Sequence, residues 1–170
     1  MKSLLVSILI ISLSALYTNA QVNTSISQIQ GTGNFSSFNN DLVRISSVVV
    51  IAVHEDQIFV QSTTSDSDSR SSEGLMVFWN NADEFEINDE LDIVGRVREF
   101  RSNTILEANS IIRIGRFNST IVPIELNNSF PGSNLENVHP LESVEGQLVS
   151  FSNISVIGPS EGSDLSLIHI

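Results

Sequence analysis

Five of the chain's seven arginines, Arg96, Arg98, Arg101, Arg113 and Arg116, fall within about twenty residues of one another. Guanidinium groups that converge on one surface neutralise phosphates. Phe59, Phe78 and Trp79 lie upstream as possible stacking partners. Aromatic faces interleaved with cations form a platform for single-stranded nucleic acid, because every base offers a π-face. The competing reading is that Arg96 and Arg98 pair with nearby carboxylates while the aromatics fill a core. The acidity of the chain favours it. With 8 basic and 20 acidic residues the net charge is −12, which disfavours non-specific DNA binding and suits solubility outside the cell.

Other constellations are thinner. Asp66, Asp68 and Glu73 would offer hard oxygen ligands to calcium, but the loop lacks the central glycine and remaining ligands of an EF-hand. It reads as a solvated acidic loop. Gly31-Thr32-Gly33 has neither the lysine nor the following helix of a phosphate loop. His54 precedes Glu55 at a turn, His139 precedes Pro140, and His169 stands near the end, so no Asp-His pair is available for proton transfer. Without cysteine there is no thiol nucleophile and no disulfide framework, and no serine lies in a nucleophile elbow. No catalytic or metal-binding residue is expected in this chain, and no cofactor. Asn23, Asn34, Asn118, Asn127 and Asn153 each begin an Asn-x-Ser/Thr triplet, which matters only in a glycosylating host.

The elements that would position these residues begin after a targeting segment. Lys2, an apolar run over residues 4–16 and Thr18-Asn19-Ala20 predict a secretory signal cleaved after Ala20. Loss of Lys2 takes the net charge from −12 to −13. The run is short for a membrane span, and with no lipid-anchor cysteine the mature protein is expected to be secreted without a stable membrane anchor.

Beyond residue 20 nothing reads as a long amphipathic helix. Short β-rich runs alternate with Ser, Asn, Asp and Gly, the pattern of a sandwich or barrel. Residues 42–53 form the longest run. Val43, Ile45, Val49, Ile51 and Val53 would share one face, yet both faces are apolar from Val48 onward, so the strand is buried on both sides or shifted by a bulge. Residues 57–61 return as a hairpin and residues 74–79 make a third strand. In residues 88–100, Leu91, Ile93 and Val97 point one way and Asp92, Arg96 and Arg98 the other. Gly95 marks a bulge, a bend or a close neighbour in that strand. A fifth strand runs from Thr104 to Ile114 with a break near Asn109, and residues 147–151 supply a last one. Five strands with the first and fourth long and bent predict an all-β, five-stranded OB-fold-like barrel. A jelly roll or an immunoglobulin-like sandwich is the alternative. The expected division is a signal over 1–20, an extension over 21–40, the barrel domain over 41–157 and the start of a linker over 158–170.

Several of these stretches together resemble a known family. They are Ile26-Ser27-Gln28-Ile29-Gln30-Gly31-Thr32-Gly33, Ile58-Phe59-Val60-Gln61, residues 72–78, residues 88–100 and residues 141–149. In order and spacing they are similar to the OB-fold-like domain on the N-terminal side of secreted bacterial nucleases of the endonuclease/exonuclease/phosphatase superfamily. Asn40-Asp41 stands where that family often has glycine, and the 65–70 loop is shorter than the family's Asp- and Gly-rich one. The resemblance implies an accessory domain that positions DNA or RNA, or packs on a catalytic domain following in the same chain. That missing domain would work with a divalent metal such as magnesium. Residues 165–170 resemble one reading frame of a transposon end used in building sequencing libraries, which predicts that the natural protein departs from this sequence near Asp164. A stand-alone extracellular module binding carbohydrate or protein is the competing expectation.

Overall fold

A computed structural model describes residues 21–126 and 141–152. The predicted signal, the 127–140 connection, His139, His169 and the 165–170 ending lie outside the described residues. The element order is β1 (Val22–Asn23), α1 (Ile26–Gln30), β2 (Leu42–His54), β3 (Gln57–Ser62), β4 (Gly74–Phe78), β5 (Asp89–Phe100), β6 (Asn103–Arg116), β7 (Ile124–Leu126) and β8 (Val149–Phe151). Short 3-10 turns sit at Ala82–Glu84 and Glu142–Val144. Among the described residues no helix is long and apolar enough to cross a membrane.

The strand pairing closes on itself. β2 pairs with β3, β3 with β4, β4 with β6, β6 with β5, and β5 returns to β2. All of these are antiparallel except β4–β6, which is parallel. The result is the five-stranded OB-fold-like barrel that the alternating pattern predicts. The core contains Val43, Ile45, Ile58, Val60, Leu75, Val77, Leu91, Ile93, Val97 and Leu106.

Closure requires the long strands to bend, and bulges supply the bending. Ile45 opposes Ile93 but Val48 opposes Leu91, so β2 carries one extra residue there; a second lies between Val50 and Ala52. These insertions change the predicted inward face of β2. Val43, Ile45, Val48, Val50 and Val53 join or pack against the main core cluster, while Val49, also fully buried, and the half-buried Ile51 lie outside that cluster. Ser47 turns the first bulge at φ 54°. Asp92 fastens it, accepting from the Ser47 N–H at 3.1 Å and from Arg44 Nη2 at 2.5 Å. The Arg44 hydrogen bond holds the Asp92 carboxyl below the usual carboxylate range. The break expected near Asn109 is likewise a bulge: Val94 opposes Ser110 while Gly95 opposes Ala108.

Residues 22–36, which the sequence places in an extension, add to the barrel. β1 pairs parallel with the start of β2. Ser25 and Gln28 form a reciprocal capping box at the N-terminus of α1, and Ile26 and Ile29 enter the core from its other side. Gly31 ends the helix at φ 67°, in the left-handed region that glycine occupies without penalty. Gln30 Nε2 donates to the Gly74 carbonyl at 2.6 Å, and the buried Ser36 hydroxyl donates to the Ile29 carbonyl. Ser36→Ala leaves that buried carbonyl without its partner and is expected to lower unfolding stability by about 1–2 kcal/mol. Urea denaturation followed by circular dichroism measures the loss; an unchanged midpoint would mean that the bond contributes nothing net.

Candidate functional site

The arginines lie on the β5–β6 ribbon, and its geometry divides them. Arg96 and Arg98 alternate on the outer face of β5, as the sequence predicts. Both reach back to Asn40, Arg96 to its carbonyl and Arg98 to its side-chain oxygen. Arg98 also pairs with Glu107 on β6 at 3.0 Å. At the far end of the ribbon, Arg113 and Arg116 converge on Asp89, at 2.8 and 3.7 Å. Arg116 is additionally 2.7 Å from Glu86, and Arg113 donates to the Glu84 carbonyl and lies over the Phe85 ring. Arg101 stands apart at the β5–β6 turn, its guanidinium carbon 5.3 Å above the Phe100 ring. Thus the five candidates form three groups and not one cationic face.

Asp89 was absent from the expected site. The sequence reads Asn88-Asp89 as a turn signal, yet Asp89 opens β5 with its side chain 1% exposed. Alternation from Leu91 back by two residues places it on the inward side, and this is the signal that locates it. Its burial beside two cations organises the barrel end. Each arginine is about half exposed, so solvent screens much of the Coulombic gain.

The aromatics separate as well. Phe59 on β3 is half-buried and pairs with Met76 on β4 and Ala52 on β2. Two residues beyond Met76 on the same face, Phe78 meets Phe100 edge to face, ring centroids 6.2 Å apart at 81°. Edge-to-face packing suits the ring quadrupoles. Trp79 instead turns towards the Arg113 end and donates from Nε1 to Glu84 Oε1 at 2.7 Å. Phe59, Phe78 and Phe100, with Arg101 on the last, therefore line the outer barrel surface, whereas Trp79 belongs to the Glu84–Arg113 corner. Phe100 was not among the expected site residues, although its place beside the turn and the Arg98 alternation mark it as outward.

The acidic loop between β3 and β4 satisfies its own carboxylates. Asp68 binds Arg70 at 2.7 Å, which lowers its pKa to about 2. Glu73 accepts from the Asp66 N–H at 2.7 Å, and burial pushes its carboxyl up. Glu73 is thus tucked beneath the loop and not solvated. Among the described residues no group of three or more His, Cys, Asp or Glu side chains is arranged to hold a metal ion.

A third feature lies outside the expected site residues, in a stretch that includes the expected last strand, of which Val149–Phe151 form β8. Residues 141–151 run as a strap along the barrel, with β8 paired parallel to β7. The Glu145 carbonyl accepts from Ser72, its carboxylate accepts from the Thr104 N–H at 2.8 Å, and Leu148 N–H donates to Gln61 at 3.0 Å. Glu145 is pushed up to about 7, first by burial and then by the charge of Glu142, with Glu99 adding to the shift and the Thr104 hydrogen bond opposing it.

No family model matches the chain, and no curated protein matches it. Among solved structures it is similar to the OBody AM1L10 bound to hen egg-white lysozyme, at TM-score 0.37 and 11% identity over 47% of this chain and 84% of that one. It is also similar to the hypothetical protein ygiW from E. coli, at TM-score 0.34 and 12% identity over 45% and 77% of the respective chains. A third likeness is to asparaginyl-tRNA synthetase from Pyrococcus horikoshii, at TM-score 0.32 and 14% identity, covering 47% of this chain and 21% of that one. The barrel assignment rests on the strand pairing itself.

Proposed function

We propose that this chain is the non-catalytic OB-fold accessory domain of a secreted nuclease of the endonuclease/exonuclease/phosphatase superfamily, and that it positions a nucleic-acid strand across its outer barrel face. The observation that carries the reading is the row of Phe59, Phe78 and Phe100, capped by Arg101. Arg101 has no carboxylate partner among the described residues, so its cation is available to a phosphate. The remaining candidate arginines contribute less, because Arg98, Arg113 and Arg116 are engaged by carboxylates and Arg96 by a backbone carbonyl.

On this reading stacking dominates over phosphate neutralisation. Binding is weak and only mildly salt-dependent. With one or two phosphates neutralised, log K falls against log salt with a slope of about −0.7 to −1.4. Fluorescence titration of a labelled single-stranded oligonucleotide at two salt concentrations measures it. Phe59→Ala is expected to weaken binding about tenfold, the lower part of the range for one lost base stack. Absence of binding at millimolar protein would reject the nucleic-acid role and leave a packing role against the catalytic domain. Plasmid degradation by the purified chain with magnesium would reject the non-catalytic reading.

A further inference from the structure

The strap is fastened where it carries a carboxylate that has little to compensate its charge. Glu145 lies half-buried between the barrel and the strap's own 3-10 turn. From β6 it receives the Thr104 N–H, and the Ser72 hydroxyl before β4 reaches its carbonyl oxygen instead. The titratable groups acting on its carboxyl are Glu142, from the turn, and Glu99, from β5. No cation is among them in the described residues. Glu99 is itself held in place, accepting from the Ser36 N–H at 2.7 Å and the Thr104 hydroxyl at 3.0 Å, while its Oε2 is buried without a hydrogen-bond partner. Three carboxyl groups therefore gather where the strap meets the barrel.

We infer that the strap is a pH-operated clasp: with Glu145 protonated, residues 141–151 seat against the barrel, and its ionisation beside Glu99 and Glu142 loosens them. A neutral carboxyl can still accept the Thr104 N–H and can donate to a neighbouring carboxylate, whereas an ionised one can only accept. The direction follows from linkage. The docked strap holds the Glu145 proton up to about pH 7, against 4.5 for a free glutamate. Between those values the docked form binds more protons than the released form, so docking weakens as pH rises through that window and levels off above it. Release uncovers Gln61, Ser72 and Thr104, all buried in the clasped state.

Amide hydrogen exchange on the purified protein at pH 5.5 and 8.5, corrected for intrinsic exchange, tests this. Protection of the Leu148 and Thr104 amides, which bond Gln61 and Glu145, is expected to fall about tenfold or more relative to Val60 in the core; each unit of pKa difference is worth a factor of ten. Glu145→Gln keeps the acceptor and removes the charge, so its protection ratio stays level between the two pH values. Glu142→Gln removes one neighbouring like charge, so the Glu145 midpoint, followed by carboxyl-carbon NMR, is expected to move to lower pH. A protection ratio independent of pH in the wild type, or an equal fall in Glu145→Gln, would overturn the clasp. So would a midpoint unmoved by Glu142→Gln.

Discussion

Gly95→Val is expected to cost the barrel about 3 kcal/mol and to lower its melting temperature by on the order of 10–20 °C. A Cβ built on Gly95 would lie 2.6 Å from the Glu107 carbonyl oxygen, 2.8 Å from Leu106 Cγ and 3.0 Å from the Ala108 Cα. Two of those atoms belong to the backbone of β6, so no rotamer change relieves the contact. The position is buried and sits beside the Asn109 bulge. Valine adds two further carbons to a site with no room for one. Its β-branched preference for strands gives little in return, since that preference reflects fit to a pleated, half-exposed surface. Differential scanning calorimetry checks the shift; a melting temperature within about 2 °C of the wild type would mean that the strands separate there without penalty.

Gly74→Ala is expected to free the strap while leaving the barrel folded. A methyl at Gly74 would fall 2.2 Å from the Gly146 carbonyl carbon, 2.3 Å from its oxygen and 2.4 Å from the Gln147 nitrogen. All three are strap backbone. The approach is as close from the other side: a Cβ built on Gly146, at φ 67°, would lie 2.9 Å from the Leu75 nitrogen and 3.0 Å from the Gly74 carbonyl carbon. Glycine-to-alanine changes commonly stabilise by restricting the unfolded chain; here the contact reverses the sign. Displacing the strap loses the bonds of Ser72 to Glu145, Thr104 to Glu145, Leu148 to Gln61 and Gln147 to Ser72. At roughly 0.5–1.5 kcal/mol net for each of these four bonds, docking weakens by about 2–6 kcal/mol. Hydrogen exchange separates the two layers: Leu148 is expected to lose protection and Val60 to keep it. Protection retained at both sites would show that the two glycines do not need their close approach.

Much of the barrel was legible because its strands are half-buried and its alternation has period two. Leu91, Ile93 and Val97 against Asp92, Arg96 and Arg98 gave the faces of β5 directly, and Gly95 gave its pinch. The phase of β2 was less legible. Two inserted residues moved Val48 and Val50 inward, and in a run of consecutive valines nothing local marks where the phase slips. α1 spans barely more than one turn, too short to display a helical period, so only the Ser25–Gln28 box announces it. The candidate site was legible in its residue types and not in its grouping. Arg98 meets Asn40, and Arg44 meets Asp92, across separations of 58 and 48 residues, and such partners are set by barrel closure. The Gly74–Gly146 contact is of the same kind: each glycine alone is unremarkable in the sequence.

The parallel seam between β4 and β6 joins Met76, Val77 and Phe78 to Ile105, Leu106 and Glu107, three residue pairs in all. The other closing contact brings Leu42 against Arg96. The β2–β3 and β5–β6 hairpins are local and form on the microsecond scale, but neither closing seam gains anything until a long stretch of chain has been ordered. That delay places the domain among the slow-folding β topologies, milliseconds to seconds. Until the seams close, the β4 and β6 edges are unpaired with each other, and open edges are where chains pair with one another. A strongly negative chain keeps its copies apart during that time. The acidity that makes this barrel a reluctant partner for phosphate thereby protects it while it folds.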